Sequence, residues 1–434
     1  MELVLVACIT LIGAGLRIYQ LDYQSLWHDE ILTFLSSNGT WAHVLFQTEI
    51  KTNILPFYYL VTHAFLAWDS QEMALRAPSV IFGTLTIPLF YQVVRQAFGG
   101  QISLWASSLL AISPFHIFYS QEARPYAMYV FLCLLSFSLL QHCVKHHESR
   151  LLKGAFAIVG ASTFYCHTAA IPFLAFLGLY ICIQVPRDQW RDWVPTFLVM
   201  TVLILPVLYR VVAIQVDGQG GGRSFEAFYI PYVLWAFSTG FSLGPTLFEL
   251  HLVERFGYIV PHLPIVLPIL LITSCLALYG ARETLHQSKR NFLTFSLFFL
   301  LPLTFMSLAA IVTSRPFNVR HIIPSFIPFL VFLAVGIQSL PKKALQIICV
   351  GMFLLVSVVS LDNYYFDDRY QREDNRGAGH FLDIHYRGND LVICATPYTT
   401  IDLIHYVLPE RKVNVVAFPA SSMDILSPSF QKEV

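Results

Sequence analysis

Long uncharged apolar runs alternate with short polar loops along most of the chain. The runs cover 3–19, 77–94, 102–119, 125–144, 154–185, 193–209, 258–280, 291–314, 322–340 and 344–361. A helix that crosses a bilayer needs ~20 mostly apolar residues, about 17 at the short end. The run between Arg76 and Arg95 would reach roughly 27 Å as a helix, close to the hydrocarbon thickness. The run 154–185 is long enough only for a hairpin of two spans, so the pattern predicts eleven transmembrane helices. Two further segments are ambiguous. Residues 54–68 are apolar for only 15 positions, and 227–248 is interrupted by Pro231, Gly240, Gly244 and Pro245. Both read as interfacial or re-entrant pieces of outer loops. Counting both as spans gives thirteen and leaves the tail where it is; counting one inverts part of the topology.

The loops differ in charge. Lys145, Arg150 and Lys153 share a side with Arg187 and Arg191, with Arg282, Lys289 and Arg290, and with Lys342 and Lys343. The positive-inside rule makes that side cytoplasmic. The N-terminus is then inside and residues 362–434 are outside, with a first outer loop over 20–76. The opening MELVLVACITLIGAGLR lacks the positive leader of a cleaved signal and reads as a retained first span. The tail is polar, with short β-branched runs at 390–395 and 412–418 around a helix-like stretch at 400–408. The expected fold is an all-α polytopic module over 1–361, with eleven to thirteen transmembrane helices, followed by a small extracytoplasmic α/β domain over 362–434. GQGGG (218–222) is a loop without the Lys-Ser/Thr of a phosphate loop. No clear internal repeat is present, which weakens an inverted-repeat transporter.

Composition narrows the class. The 434 residues are 56% hydrophobic and 12% charged, against roughly 25% charged in soluble proteins. That excludes a soluble globular enzyme and a disordered chain. The net charge of zero provides no basic field for nucleic acid. Eight cysteines show no C-x-x-C spacing and read as small hydrophobes, not as a disulfide framework or zinc site.

The few ionisable residues near membrane depth are candidates for function, because they are expensive there. They gather in three outer clusters. Asp29 and Glu30 stand together in LDYQSLWHDEILTF, beside His28; the plain reading of such a pair is a helix start. Gln121, Glu122, Arg124 and Tyr126 lie in SPFHIFYSQEARPYAMY, where a turn of about five residues joins two spans; its plain reading is a local Glu122–Arg124 ion pair. Arg315, Arg320 and His321 lie in SRPFNVRHIIPS and oppose the positive-inside rule, so an anion is expected to hold them there. Arg76, at the outer start of its span, joins this group. Arginine forks match phosphate oxygens. The set points to a phosphate-bearing substrate worked on by a carboxylate. His63, Trp68 and His167 lie on apolar faces and read as packed residues. Glu249, Glu254 and Arg255 read equally well as solvated surface. Asn38-Gly39-Thr40 matches a glycosylation sequon by pattern alone.

Taken together, these residues resemble the bacterial GT-C glycosyltransferases related to dolichyl-phosphate-mannose protein mannosyltransferases and to the aminoarabinose transferase of lipid A. The resemblance covers most of residues 10–400. It rests on LDYQSLWHDE (21–30), EMALRAPSVIFGTLTIPLFYQVVRQAFGG (72–100), SPFHIFYSQEARPYAMY (113–129), FSTGFSLGPTLFEL (237–250) and NVRHIIPSFIPFL (318–330). One block departs: relatives often carry N-H-P-P-L-Y-Y where this chain has NILPFYY (53–59), which puts any role of that segment in doubt. The resemblance implies a polyprenyl phosphate sugar as donor and a glycan, lipid or protein hydroxyl as acceptor. It implies Asp29 as general base and Glu30 as its neighbour in acceptor binding or structure. Arg76, Arg124, Arg320 and His321 are then expected at the lipid phosphate, and Arg17 as a structural arginine. His28, Gln121, Glu122 and Tyr126 are further candidates for substrate contact. Some relatives use a divalent metal and others do not; no clear ligand set stands out, so metal stays open. With one base and direct displacement, the anomeric configuration is expected to invert. A transporter or flippase of lipid-linked glycans is the alternative, but charges at mid-span or repeated halves would suit it better. A membrane scaffold would not need the acidic pair near three arginine clusters. The sugar and acceptor are not legible. The enzyme reading requires Asp29, Arg76, Arg124 and Arg320 to converge on one outward cavity.

Overall fold

In hydrocarbon every backbone N–H and C=O must be satisfied within the protein, so apolar runs of this length fold as helices. A computed structural model describes residues 1–46, 55–68, 72–213, 228–251, 255–313, 317–394, 396–407 and 413–417. Among them, seven helices are long and apolar enough to cross a membrane: Glu72–Phe98, Tyr126–Lys145, Arg187–Ala213, Gly257–Gln287, Lys289–Thr313, Val319–Gln338 and Lys343–Phe366. Gly100–Ala111 and Pro114–Ser120 form an eighth if taken as one span, bent by 59°. Pro114 lies at the break, where it cannot donate to the preceding turn.

The other expected spans are helices at or below the short end of the crossing range. Glu2–Ile18 and Arg150–Cys166 have 17 residues each, and Ala170–Gln184 has 15. The run 154–185 does break into two helices, at His167. In the two ambiguous segments, Phe57–Leu66 has 10 residues and Tyr229–Thr239 has 11, roughly 15–17 Å of helix each and too short to cross. The GQGGG loop, Arg315 and Glu254 lie outside the described residues, as do 69–71 and the end of the tail.

The Phe326–Gln338 helix is buried along almost its whole length and forms the centre of the bundle. Two glycines let it approach the Leu263–Gln287 helix. A Cβ at Gly280 would collide with the Phe332 carbonyl, and one at Gly336 with the Leu276 carbonyl. Phe137, Phe176, Phe295 and Phe298 fill the layer beside it in edge-on and stacked pairs. The outer helices expose Leu198, Val202, Leu205, Leu271 and Leu355, an apolar coat of the kind lipid would cover. Cys133, Cys143, Cys166 and Cys394 are buried, whereas Cys8, Cys182 and Cys275 are on that outer coat and not packed inside. Trp68, expected to be packed, is 84% exposed at the end of its short helix.

The tail folds as expected from its pattern. The helix Asn375–His385 precedes strand β1 (Leu391–Cys394), the helix Pro397–Tyr406 and strand β2 (Asn414–Ala417). The strands pair in parallel, with Leu391 opposite Asn414 and Cys394 opposite Ala417. This unit is stitched to the loop that follows the first helix. The Leu26 N–H donates to the Tyr406 hydroxyl (2.7 Å), Ser25 Oγ to the Glu373 carbonyl (2.9 Å) and Asn375 Nδ2 to the Leu26 carbonyl (3.0 Å). Arg376 and Tyr406 both donate to Glu72.

Candidate active site

The acidic pair opens the helix His28–Ser37, with both carboxylates in its first turn, where the helix dipole favours them. Consecutive residues on a helix point about 100° apart. Asp29 and Glu30 therefore meet different surroundings, and this separation organises the site.

Glu30 faces inward and is fully buried. Arg76 grips it with both prongs, Nε to Oε1 at 2.9 Å and Nη2 to Oε2 at 2.7 Å. Arg372 adds Nη1 to Oε2 at 2.9 Å, and the Ala123 N–H donates to Oε1 at 2.8 Å. Burial opposes ionisation, but the two guanidiniums outweigh it and hold the carboxyl down at about 2. The remaining Arg76 donors go to the carbonyls of Leu21 (2.7 Å), Gln24 (2.9 Å) and Ser25 (3.2 Å). All five N–H groups of Arg76 are thus used inside the protein. Expected at the lipid phosphate, Arg76 instead ties the loop after the first helix to the bundle and presents no spare donor to a ligand.

Asp29 faces the other way and is about one-fifth exposed. Arg320 Nη1 donates to Oδ2 at 3.0 Å, and Arg124 Nε lies 3.8 Å from the same oxygen. Partial burial works against the charge; the Arg124, Arg320 and His28 side chains prevail and lower its pKa. Arg124 also reaches the Asp29 carbonyl (3.3 Å) and Thr33 Oγ1 (3.4 Å). Its own carbonyl accepts from Ser79, whose hydroxyl pairs with that of Tyr58. Tyr58, in the divergent segment, therefore buttresses Arg124 through Ser79. The Asn318 side chain caps the Arg320 N–H at 3.1 Å and starts the turn Val319–Ser325 that presents Arg320. The Arg320 guanidinium lies over the Tyr126 ring at 5.9 Å, and the His321 ring stands 5.6 Å from that of His167. Arg124 and Arg320 thus flank Asp29, with Tyr126 against Arg320.

The remaining candidates separate. Gln121 Nε2 donates to the Arg17 and Tyr19 carbonyls, closing the end of the first helix. Arg17 is fully buried and spends its donors on Gly13, Leu110, Ala111, His116 and Ser120. Both are structural. Glu122 is buried in the turn, and among the described residues no ion pair joins it to Arg124 and its Oε2 has no hydrogen-bond partner. Burial pushes its carboxyl up to about 7, with Glu30 and Asp29 adding to the effect against Arg372 and Arg124. His28 Nδ1 pairs with Asp402 of the tail at 2.9 Å. Glu249, read as surface, is paired with Arg369 at 3.0 Å; the Arg255 side chain lies outside the described residues.

Sequence reasoning missed Arg372 and Asp402, which the tail delivers to Glu30 and His28. Arg372 also lies over the rings of Trp27 (5.2 Å) and Phe118 (5.3 Å). The cluster QRED at 371–374, directly after the last span, was the available signal. A cavity of about 320 Å³ opens between the loop after the first helix and the tail, lined by Asp22, Phe34, Glu72, Arg376, His405 and Tyr406 among others. It does not include Asp29, so the required convergence is only partial: Arg124 and Arg320 meet at Asp29, while Arg76 meets Glu30.

A divalent cation wants several anionic or neutral oxygen donors. Asp29 already faces two guanidiniums, and among the described residues no three His, Cys, Asp or Glu side chains are grouped to hold an ion.

The family model for dolichyl-phosphate-mannose-protein mannosyltransferase matches residues 54–210. No curated protein matches. The crystal structure of the Archaeoglobus fulgidus oligosaccharyltransferase in complex with Zn and sulfate superposes with a TM-score of 0.56 at 12% identity, over 96% of this chain and 62% of that one. The chain has a GT-C-type membrane fold. AglB of the same organism, in complex with an inhibitory peptide and a dolichol-phosphate, gives 0.53 at 12% identity, over 94% of this chain and 59% of AglB. ArnT from Cupriavidus metallidurans bound to undecaprenyl phosphate is 15% identical with a TM-score of 0.46, covering 95% of this chain and 89% of ArnT. The chain thus spans under two thirds of the archaeal oligosaccharyltransferase. Its family match, over the middle of the bundle, points to the same class as the motifs.

Proposed function

We propose that the chain is an integral-membrane glycosyltransferase that moves a sugar, mannose or similar, from a polyprenyl phosphate to an acceptor hydroxyl on the extracytoplasmic side. Residues 1–361 would form the catalytic module of an inner-membrane protein, with residues 362–434 outside. The donor class is supported by the family match and by the dolichol-phosphate bound to AglB, a protein of the same fold. The observation that carries the reading is the half-open Asp29 carboxylate between Arg320 at 3.0 Å and Arg124 at 3.8 Å.

At rest the two arginines neutralise Asp29 and leave it a weak base. A lipid phosphate entering beside them competes for their donors, since a guanidinium serves phosphate as well as carboxylate. Asp29 then loses part of its counter-charge, and its proton affinity rises toward what a general base needs. It takes the proton of the acceptor hydroxyl as that oxygen attacks the anomeric carbon. The bond to phosphate breaks with its electron pair, and Arg124 and Arg320 stabilise the charge that develops on the departing lipid phosphate. Direct displacement inverts the anomeric centre.

The test is transfer by purified protein from a panel of polyprenyl phosphate sugars, wild type against Asp29→Asn. The variant should lose ~10²–10⁴-fold in rate, and the product should be inverted. Equal rates would remove Asp29 as the base, and a retained configuration would remove direct displacement.

A further inference from the structure

The cavity between the tail and the loop after the first helix has a volume of about 320 Å³. Ligand clefts span ~300–1,000 Å³ and favour boundaries between structural units. Leu26, Met73 and Leu75 supply its apolar part, and Phe34, His405 and Tyr406 its rings. Phe34 meets His405 edge-on at 4.9 Å, and His405 meets Tyr406 at 5.0 Å. The polar part is anchored. Arg376 gives Nε to Glu72 Oε1 at 3.3 Å and Nη2 to the Asp22 carbonyl at 3.0 Å. The Tyr406 hydroxyl accepts from the Leu26 N–H at 2.7 Å and donates to Glu72. Where Arg76 spends every donor, Arg376 does not. Among the described residues nothing accepts from its Nη1, and the Asp22 carboxylate and the His405 ring nitrogens have no hydrogen-bond partner. Burial lowers the His405 pKa, so its neutral ring offers one N–H and one lone pair.

These unspent groups decide what fits. The carboxylates of Asp22 and Glu72 stand against one lining guanidinium of Arg376, so a phosphate or other anion is disfavoured. An alkyl chain would cover the rings and leave the donors and acceptors unused. A sugar ring serves both parts. Its hydroxyls donate to a carboxylate and accept from a guanidinium, and its C–H faces lie on aromatic rings. We propose that this cavity binds a neutral saccharide, so that the loop and the tail together form a glycan-binding site separate from Asp29, which does not line it. Glu72 already fixes Arg376 and Tyr406, so binding has little of the wall left to order. The inference does not rest on the transfer reaction: a sugar binds here whether or not Asp29 is the base.

The test uses the full chain in lipid nanodiscs, free of sugar detergents, with mannotriose, maltotriose and chitotriose as probes and saturation-transfer difference NMR as the readout. At least one trisaccharide should take up saturation, most strongly at its ring C–H protons. Asp22→Asn and His405→Leu should each weaken its Kd by about tenfold, as the loss of a hydrogen bond or a ring contact would, with the melting temperature kept. Should His405→Leu fold poorly, Asp22→Asn decides the matter, because the Asp22 side chain is exposed. No saturation transfer from any of the three at millimolar concentration would overturn the site, as would wild-type affinity in both variants. Binding lost in Asp29→Asn but kept in both cavity variants would place the sugar at the reacting carboxylate and overturn a separate site. Tighter binding of a control tripeptide, trialanine, weakened by the same two substitutions, would assign the cavity to a peptide and overturn the saccharide.

Discussion

Arg76 and Glu30 form a closed, two-pronged ion pair on the buried face of the acidic helix, with Nε–Oε1 at 2.9 Å and Nη2–Oε2 at 2.7 Å. Removing one partner of such a pair strands a buried charge, which typically costs about 3–5 kcal/mol. Arg320, about one-third exposed beside Asp29, should be worth at most about 1 kcal/mol to stability. Arg76→Met is therefore expected to lower the melting temperature of the purified protein sharply, and Arg320→Gln to leave it nearly unchanged. Similar melting of the two variants would contradict the division of labour between the two faces of the helix.

The same pair fixes an acid limit. Glu30 titrates near 4.5 when unperturbed and is held at about 2 in the folded protein. A depressed carboxyl contributes stability that is fully present above its unfolded value and is lost as pH falls through the folded one. Melting temperature should therefore hold steady down to about pH 4.5 as far as Glu30 is concerned, then fall between there and about pH 2. Glu30→Gln should be less stable at neutral pH and show a shallower fall in that window.

Glu122 should behave in the opposite sense. Its carboxyl is raised from 4.5 to about 7, so the folded state retains a proton that the unfolded chain releases. Stability at this site is highest below about pH 4.5 and declines as pH rises toward 7. Glu122→Gln, which stays neutral throughout, should lose that decline and melt higher than wild type at pH 8. Melting curves of the pair at pH 5 and pH 8 provide the check.

The bundle was readable because hydrocarbon leaves the backbone few options: uncharged runs of sufficient length became helices, and even the break at His167 fell within the run expected to be a hairpin. Asp29 and Arg320 stood out as candidates for a related reason, since ionisable residues beside apolar runs are costly and need a cause. The partner of Arg76 was not legible. Its position at the start of a helix is the same whether it faces a ligand or a loop carbonyl, and only the turn of the acidic helix decides that Glu30, not Asp29, faces it. Arg372 and Asp402 were hidden by composition: in a polar tail a charge costs nothing, so neither stood out until the tail closed on the loop after the first helix. Trp68 failed because its neighbours in sequence are apolar, while the preceding helix stops at Leu66, two residues earlier.

Close approach of the two central helices depends on absent side chains at Gly280 and Gly336. Gly280→Leu would drive its side chain into the Phe332 carbonyl, and the backbone cannot yield as a flexible side chain could. Overpacking of this kind costs typically about 1–3 kcal/mol. The same change at Gly351, where a Cβ meets nothing, should be tolerated. Melting of the two variants side by side separates crowding from a general intolerance of larger residues.

Arg320 carries the sharpest catalytic expectation. Its Nη1 sits 3.0 Å from Asp29, where the proposed lipid phosphate would gain charge as it leaves. Removing one pre-placed donor aimed at developing charge typically costs about 10²–10³-fold in kcat. Arg320→Gln should show such a loss in sugar transfer while keeping the wild-type melting temperature. Arg320→Lys, which restores the charge but not the fork, should recover only part of it, because one ammonium cannot serve carboxylate and phosphate in the same plane. Asp29 itself should become a stronger base in Arg320→Gln, so the acid limb of the pH–rate profile should move to higher pH. A variant with full kcat and an unmoved profile would place the departing phosphate elsewhere on the rim.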